Sequence, residues 1–202
     1  MSSTDPNARG LVIVYTGDGK GKTSAALGNV FRALGHGLRV LVIQFFKGDW
    51  PIVFGELESA KLHKHLEIFQ MGKGFVKIMG DKKPLSEHRS AAVNALALAK
   101  EKIYSGRYDL VVLDEVNYAV DTLDVRLVEV KDLLEIIRKK PAHTHLILTG
   151  RGAKKEIIKL LNFNIQNVPD DEISNKLRTA FAELKLKKPR LTGVIQSYRA
   201  VT

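Results

Sequence analysis

The chain has 202 residues, of which 45% are hydrophobic and 27% charged, values that suit one globular domain with at most a modest appendage. It contains no cysteine, which excludes disulfides, thiolate zinc sites and a cysteine nucleophile, and which favours a cytoplasmic location. A formal net charge of +10 favours anionic ligands, and because the apolar runs are no longer than a strand we expect no membrane span.

Apolar segments of strand length alternate with amphipathic segments along the chain. This alternation predicts an α/β fold in which a mostly parallel sheet is covered by helices on both faces. Strands are predicted at 11–15, 39–44, 66–70, 110–113 and 145–149. Helices are predicted at 23–34, 86–104, 126–139, 153–161 and 171–186, with Ser86 as the N-cap of the second.

The predicted domain, residues 10–165, lies between a polar tail at 1–9 and a basic helical appendage at 166–202 that packs on the same domain. The appendage carries six basic residues around a single Glu183: Lys176, Arg178, Lys185, Lys187, Lys188 and Arg190. A basic surface attracts any polyanion, but no aromatic residues interleave with these cations as base stacking requires. We therefore do not expect nucleic acid as a partner; a steep salt dependence of binding would be its mark.

The strongest motif lies between the first predicted strand and the first predicted helix. Its glycines let successive backbone N–H groups converge on phosphate oxygens, and the helix that follows adds its positive N-terminal end. Lys22 then reaches the outer phosphates and the Thr23 hydroxyl ligates magnesium, whereas a dinucleotide-binding fingerprint has no role for Gly-Lys-Thr. The residues predicted to bind ATP are Thr16, Gly17, Asp18, Gly19, Lys20, Gly21, Lys22, Thr23 and Ser24. The motif indicates a three-layer P-loop NTPase-like domain, and because Thr16 replaces the usual first glycine, Gly17 is expected to make the turn.

Two further motifs follow predicted strands and belong to the same edge of a parallel sheet. Asp114 and Glu115 end an apolar strand, as in strands that organise magnesium beside a phosphate-binding loop. Magnesium takes few protein ligands, so Thr23 and one of the two carboxylates would suffice. Arg151 lies between two glycines after the strand at 145–149, where its guanidinium could contact a phosphate or a carboxylate.

Together these segments closely resemble the corrinoid (cob(I)alamin) adenosyltransferases of the phosphate-loop type. The resemblance rests on residues 14–28, 32–37, 42–48, 112–115 and 148–152, and it covers residues 10–161 in the family's order and spacing. Threonine in the place of the first glycine, as at Thr16, is typical of that family. The resemblance implies transfer of the 5′-deoxyadenosyl group of Mg-ATP to a reduced cobalt corrinoid, with release of triphosphate.

The resemblance also implies roles for individual residues and for partners. Lys22, Glu115 and Phe75 would be catalytic, and Thr23, Asp114 and Glu115 would hold Mg²⁺. Arg32 would lie near the nucleoside of ATP and Arg151 near its phosphates. Family members are commonly homodimers, and reduction of cobalt implies an electron-donor protein as a possible partner.

The chain departs from the family where the corrinoid is expected. The family has a tryptophan two positions after the phenylalanine that matches Phe75, and this chain has Lys77 there. It also continues through residues 161–202 where the family has a short tail. Two alternatives therefore stay open: a divergent ATPase, or a nucleotide-dependent regulatory module that docks a partner. A nucleoside kinase would need an acceptor site, for which the sequence has no motif.

Overall fold

The computed structural model describes residues 10–78, 80–121 and 125–160, together with the backbone of residues 163–166. The strands of this part are β1 (Val12–Thr16), β2 (Val40–Gln44), β3 (Leu66–Gln70), β4 (Leu110–Asp114), β5 (His145–Thr149) and β6 (Phe163–Gln166). Its helices are α1 (Lys22–Gly35), α2 (Gly55–Lys61), α3 (Leu85–Tyr104), α4 (Val116–Val120), α5 (Val130–Lys139) and α6 (Lys155–Ile158). None of these helices is both long and apolar enough to cross a membrane.

The six described strands form one sheet in the order β3-β2-β4-β5-β1-β6, and each pairing between them is parallel. The predicted α/β fold is therefore confirmed. All six strands end at one edge, where ligands of open α/β sheets bind. Because β5 lies between β1 and β4, the loops after β1, β4 and β5 meet there.

Successive strand residues face opposite sides of the sheet, and each side is covered by helices. On one side Val40, Val42 and Val112 pack with Ala26 and Val30 of α1. On the other side the buried strand residues pack with α3, α5 and α6, through Ala95, Ala99, Leu133, Ile136 and Ile157 among others. The two apolar faces explain the predicted three layers, with helices on both sides of the sheet.

Several predicted boundaries were wrong. Ser86 is not an N-cap, because Pro84 is extended (φ −59°, ψ 143°) and α3 begins directly after it at Leu85. The helix predicted at 126–139 begins only at Val130. The helix predicted at 153–161 is a single turn, α6, and the chain then forms β6, so the predicted domain boundary at 165 falls inside a strand.

Two short helices were missed by the sequence analysis. α2 has seven residues and α4 has five, which is too short for a 3.6-residue periodicity to stand out. α4 begins directly after the acid pair and buries Val116, Asn117, Ala119 and Val120, so it fixes the chain at the end of β4. The predicted tail at 1–9, the helix predicted at 171–186 and the basic residues of the appendage lie outside the described residues.

Candidate active site

The loop between β1 and α1 has the backbone conformation that its glycines predict. Gly17 and Gly21 have φ of 98° and 99°, in the left-handed region that favours glycine, so Gly17 does make the turn. The Lys22 ammonium folds back over the loop and donates to the carbonyls of Gly17 (2.8 Å) and Gly19 (2.6 Å). Burial lowers the pKa of Lys22, and the negative charge of Glu115 opposes that shift. The Lys22 ammonium is thus fixed against the backbone of the loop.

The ends of α1, β4 and β5 are joined by hydrogen bonds around one carboxylate. Asp114 is 1% exposed, and its Oδ1 accepts from the hydroxyls of Thr23 (2.8 Å) and Thr149 (2.7 Å). The Thr149 hydroxyl in turn accepts from the backbone N–H of Glu115 (2.8 Å). The predicted magnesium residues Thr23, Asp114 and Glu115 are therefore neighbours, and Thr149 holds the carboxylate of Asp114 and the backbone of Glu115.

Glu115 is held in an environment that disfavours its charge. Its φ of 61° lies in the left-handed region, which costs about 1–2 kcal/mol for a residue with a Cβ. Burial and the adjacent Asp114 raise its pKa to about 7, although Lys22 and Arg151 oppose the shift. Two crowded carboxylates beside a hydroxyl form an all-oxygen set, which fits the preference of Mg²⁺. A divalent cation would also relieve the repulsion between Asp114 and Glu115.

A cavity of about 370 Å³ is lined both by residues predicted to bind ATP and by Phe75, which was predicted to lie on the corrinoid side. It is lined by Gly19, Lys20, Gly21, Lys22, Thr23, Ser24, Phe75, Ile78, Glu115, Tyr118 and Arg151. Five predicted site residues do not line it: Thr16, Gly17, Asp18, Arg32 and Asp114.

Two of the predicted ATP residues lie elsewhere for identifiable reasons. The Thr16 hydroxyl accepts from the backbone N–H of Ala153 (3.3 Å), so Thr16 holds the turn that carries Arg151. Arg32 lies in the last turn of α1 and is exposed. It is ten residues beyond Lys22, or about 15 Å along the helix axis. The role of Arg32 near the nucleoside stays a prediction.

Part of the cavity wall is aromatic, because Phe75 and Tyr118 line it. Phe75 stacks on Phe46 (centroids 5.1 Å apart, planes 3° apart), and Tyr118 lies edge-on to both rings. Trp50 lies edge-on to Phe75 at 6.5 Å, and Phe54 lies against Trp50. We call these five residues the aromatic cluster. Such a wall suits a large, flat, partly apolar ligand better than a second phosphate group.

Sequence reasoning missed Tyr118, Ile78 and the bridging role of Thr149. Tyr118 reaches the cavity because it follows Glu115 by three residues on α4, a helix too short to be predicted. Gly150 (φ 124°) lies against α4, since a Cβ there would be 2.8 Å from the backbone nitrogen of Tyr118. The only local signal for the role of Thr149 was its place at the end of a predicted strand, directly before Gly150 and Arg151.

Phe75 and Ile78 also line a second cavity, of about 380 Å³, together with Trp50, Lys73 and Lys83 among others. Lys77, which stands where the family has tryptophan, lines neither cavity. It is exposed, has a φ of 55°, and its backbone N–H donates to Asp81 Oδ2 (3.0 Å). Position 77 therefore belongs to the turn of the loop and not to the aromatic wall.

The chain is similar to known proteins over most of its length. The profile of the family described as ATP:corrinoid adenosyltransferase BtuR/CobO/CobP matches residues 8–167. A corrinoid adenosyltransferase of Sinorhizobium sp is 36% identical over 162 residues, which cover 79% of this chain and 72% of that protein. One from Escherichia coli K12 is 37% identical over 152 residues, covering 75% and 73%.

Among solved structures, the KaiC-like protein PH0186 of Pyrococcus horikoshii OT3 superposes with a TM-score of 0.52 at 14% identity. The alignment covers 79% of this chain and 72% of that one. At this identity the likeness shows the fold alone.

Proposed function

Because the chain belongs to the ATP:corrinoid adenosyltransferase family, we propose that it transfers the 5′-deoxyadenosyl group of ATP to a reduced cobalt corrinoid and releases triphosphate. One observation supports this most directly. A single cavity is lined both by residues of the phosphate-binding loop and by Phe75 and Tyr118. ATP and a flat acceptor that packs against aromatic side chains can therefore meet in this cavity.

The reaction needs little covalent chemistry from the protein. The cobalt(I) of the corrinoid substrate supplies an electron pair to C5′ of the ribose, the C5′–O bond breaks, and its electron pair leaves with the triphosphate. No proton has to be removed from the nucleophile, so a general base is not required. The protein accelerates the step by alignment and by stabilising the charge of the leaving group.

Lys22 and the loop amides would hold the leaving triphosphate, with Lys20 and Arg151 on the same cavity. The Lys22 ammonium already donates to two loop carbonyls, and phosphate oxygens would replace these acceptors when ATP binds. Because the site is largely closed to water at Lys22, each such charge contact is stronger than it would be on the surface.

We propose Mg²⁺ as the resident cation, held by Thr23, Asp114 and Glu115. When bound, it would neutralise charge on the triphosphate. Thr149 would support this site by orienting the Asp114 carboxylate and by holding the backbone of Glu115.

Phe75 would mark the boundary between nucleoside and corrinoid, because it lines both cavities. The lysine at position 77 does not remove an aromatic contact from this wall, since Trp50 and Tyr118 already lie against Phe75. We therefore propose that adenosylation by this chain does not require a tryptophan at position 77.

The experiment is direct: reduced cobalamin and reduced cobinamide are each incubated with Mg-ATP and the protein under anaerobic conditions. We expect a light-sensitive adenosylated corrinoid from at least one of them. Absence of product with both, from a protein that still binds Mg-ATP, would reject the proposal.

Family membership also supports a homodimer, a cytoplasmic location and an electron-donor protein that reduces the corrinoid. Sedimentation of the purified protein tests the first. Product formation with a reduced flavoprotein in place of a chemical reductant tests the last.

A further inference from the structure

Gln44, at the carboxyl end of β2, is completely buried and uses its whole side-chain amide. Its Nε2 donates to Asp114 Oδ2 (3.3 Å) and to Glu56 Oε1 (3.0 Å), and its Oε1 accepts from Gln70 Nε2 (2.8 Å). Because both carboxylates can only accept, the NH₂ group has to face them and the amide has one orientation. The Gln44 amide is therefore held in one orientation, and its hydrogen bonds restrain the side chains of Asp114, Glu56 and Gln70.

The contact with Gln44 completes the positioning of Asp114. Thr23 and Thr149 donate to Oδ1 of that carboxylate, and Gln44 donates to Oδ2. If Thr23 and Asp114 both turn to a bound cation, their direct hydrogen bond has to break. The contacts from Thr149 to Oδ1 and from Gln44 to Oδ2 then remain, and the contact on Oδ2 is the one that links Asp114 to β2.

Gln70 connects the same amide to the acceptor side of the site. It is the last residue of β3, directly before the segment that carries Phe75. The backbone N–H of Met71 donates to the carbonyl of Gln44 (2.8 Å), and a Cβ on Gly72 would collide with the carbonyl of Phe45. The start of that segment is thus packed tightly on the end of β2.

We propose that Gln44 is a positioning residue that couples the two halves of the site. It orients Asp114 for Mg-ATP and, through Gln70, ties that carboxylate to the segment that carries Phe75. Mg-ATP and the corrinoid therefore favour each other's binding, and the coupling is reciprocal. This inference rests on the proposed function for the identity of the acceptor, but the link itself concerns Mg-ATP alone.

Trp50 provides the readout, because it is the chain's single tryptophan and lies edge-on to Phe75. Its indole N–H donates to the carbonyl of Phe46 (2.9 Å), so its fluorescence reports on the aromatic cluster. We expect saturating Mg-ATP, without corrinoid, to change the Trp50 emission of the wild-type protein. No change in the wild type would overturn the proposal.

Gln70→Leu tests the coupling most directly. It removes the hydrogen bond from Gln70 to Gln44, and with it the link to the segment that carries Phe75, but leaves the bond between Gln44 and Asp114. We expect Mg-ATP to bind with wild-type affinity by calorimetry while the Trp50 response is lost. The KM for corrinoid should rise about five-fold, the factor that corresponds to one typical hydrogen bond. A wild-type Trp50 response in Gln70→Leu would overturn the proposal, and so would a loss of Mg-ATP affinity as large as the rise in KM.

Two further variants separate a link from a merely structural effect. Gln44→Leu should weaken both Mg-ATP binding and corrinoid use, whereas Glu56→Gln, which keeps an oxygen that can accept from Gln44 and from Lys47, should retain the Trp50 response. Loss of the response in Glu56→Gln would count against the link. If the wild type adenosylates no corrinoid, the proposed function fails. The coupling between Asp114 and the segment that carries Phe75 is still tested, because the change in Trp50 emission on binding of Mg-ATP needs no corrinoid.

Discussion

Replacing Thr149 with valine removes one hydroxyl and keeps the shape of the side chain. That hydroxyl is fully buried, donates to Asp114 at 2.7 Å and accepts from the Glu115 N–H at 2.8 Å. A hydrogen bond to a charged group contributes about 1.5–3 kcal/mol, and a buried N–H left without a partner costs about 1–3 kcal/mol. Because such terms are not fully additive, we expect the free energy of unfolding to fall by about 2–4 kcal/mol.

The same substitution should impair the magnesium site more than the ATP site. Groups that orient metal ligands typically contribute about 10–100-fold in metal affinity or activity. Initial rates against Mg²⁺ concentration, at saturating ATP and reduced corrinoid, should therefore show a raised Mg²⁺ requirement in Thr149→Val. Thr149→Ser keeps the hydroxyl and is the matched control, which should restore most of the activity. Rates and Mg²⁺ dependence of Thr149→Val equal to those of the wild type would refute the role of this bridge.

Three other predictions concern separate parts of the chain. Lys22→Ala should lower kcat about 10²–10³-fold, because the leaving triphosphate loses a fixed cation; activity within tenfold of the wild type would contradict this. Phe75→Ala should slow adenosylation and leave the Kd for Mg-ATP unchanged by calorimetry, and an equal loss of ATP affinity would reject its place on the acceptor side. His145 accepts from the Leu11 N–H (3.1 Å), and burial, then the charge of Lys140, lowers its pKa. The stability given by the neutral ring is therefore present above about pH 6.5 and lost as the pH falls below it. In urea unfolding at decreasing pH, the free energy of unfolding should fall more for the wild type than for His145→Asn. The Asn Oδ1 accepts the same hydrogen bond but does not titrate.

The sequence was sufficient to predict that the residues of the phosphate-binding loop and the acid pair lie together, because their motifs are local. Each one is a strand followed within a few residues by the groups it presents, as with Gly17 to Thr23 after β1 and Asp114 with Glu115 after β4. Parallel strands end at one edge, so the motifs could be brought together without knowing the strand order. The turn at Gly17 followed from the chemistry of glycine alone.

Apart from Phe75, the aromatic part of the cavity wall could not be predicted because its contacts are non-local. Tyr118 depends on a five-residue helix, and the contact of Gln44 with Asp114 depends on β2 lying beside β4. The resemblance also directed attention to Lys77, whereas the aromatic wall is completed by Trp50 from a different loop. β6 was missed because the apolar residues before it continue the pattern of a helix.

The phosphate product tests the central claim most directly, because it shows which bond of ATP is broken. The wild-type protein, Mg-ATP and an accepted reduced corrinoid are incubated anaerobically, and triphosphate and orthophosphate are separated by ion-exchange chromatography. Attack at C5′ predicts triphosphate in amounts equal to the adenosylated corrinoid, and none when the corrinoid is left out. Release of orthophosphate at a rate that does not depend on the corrinoid would contradict adenosyl transfer and indicate an ATPase.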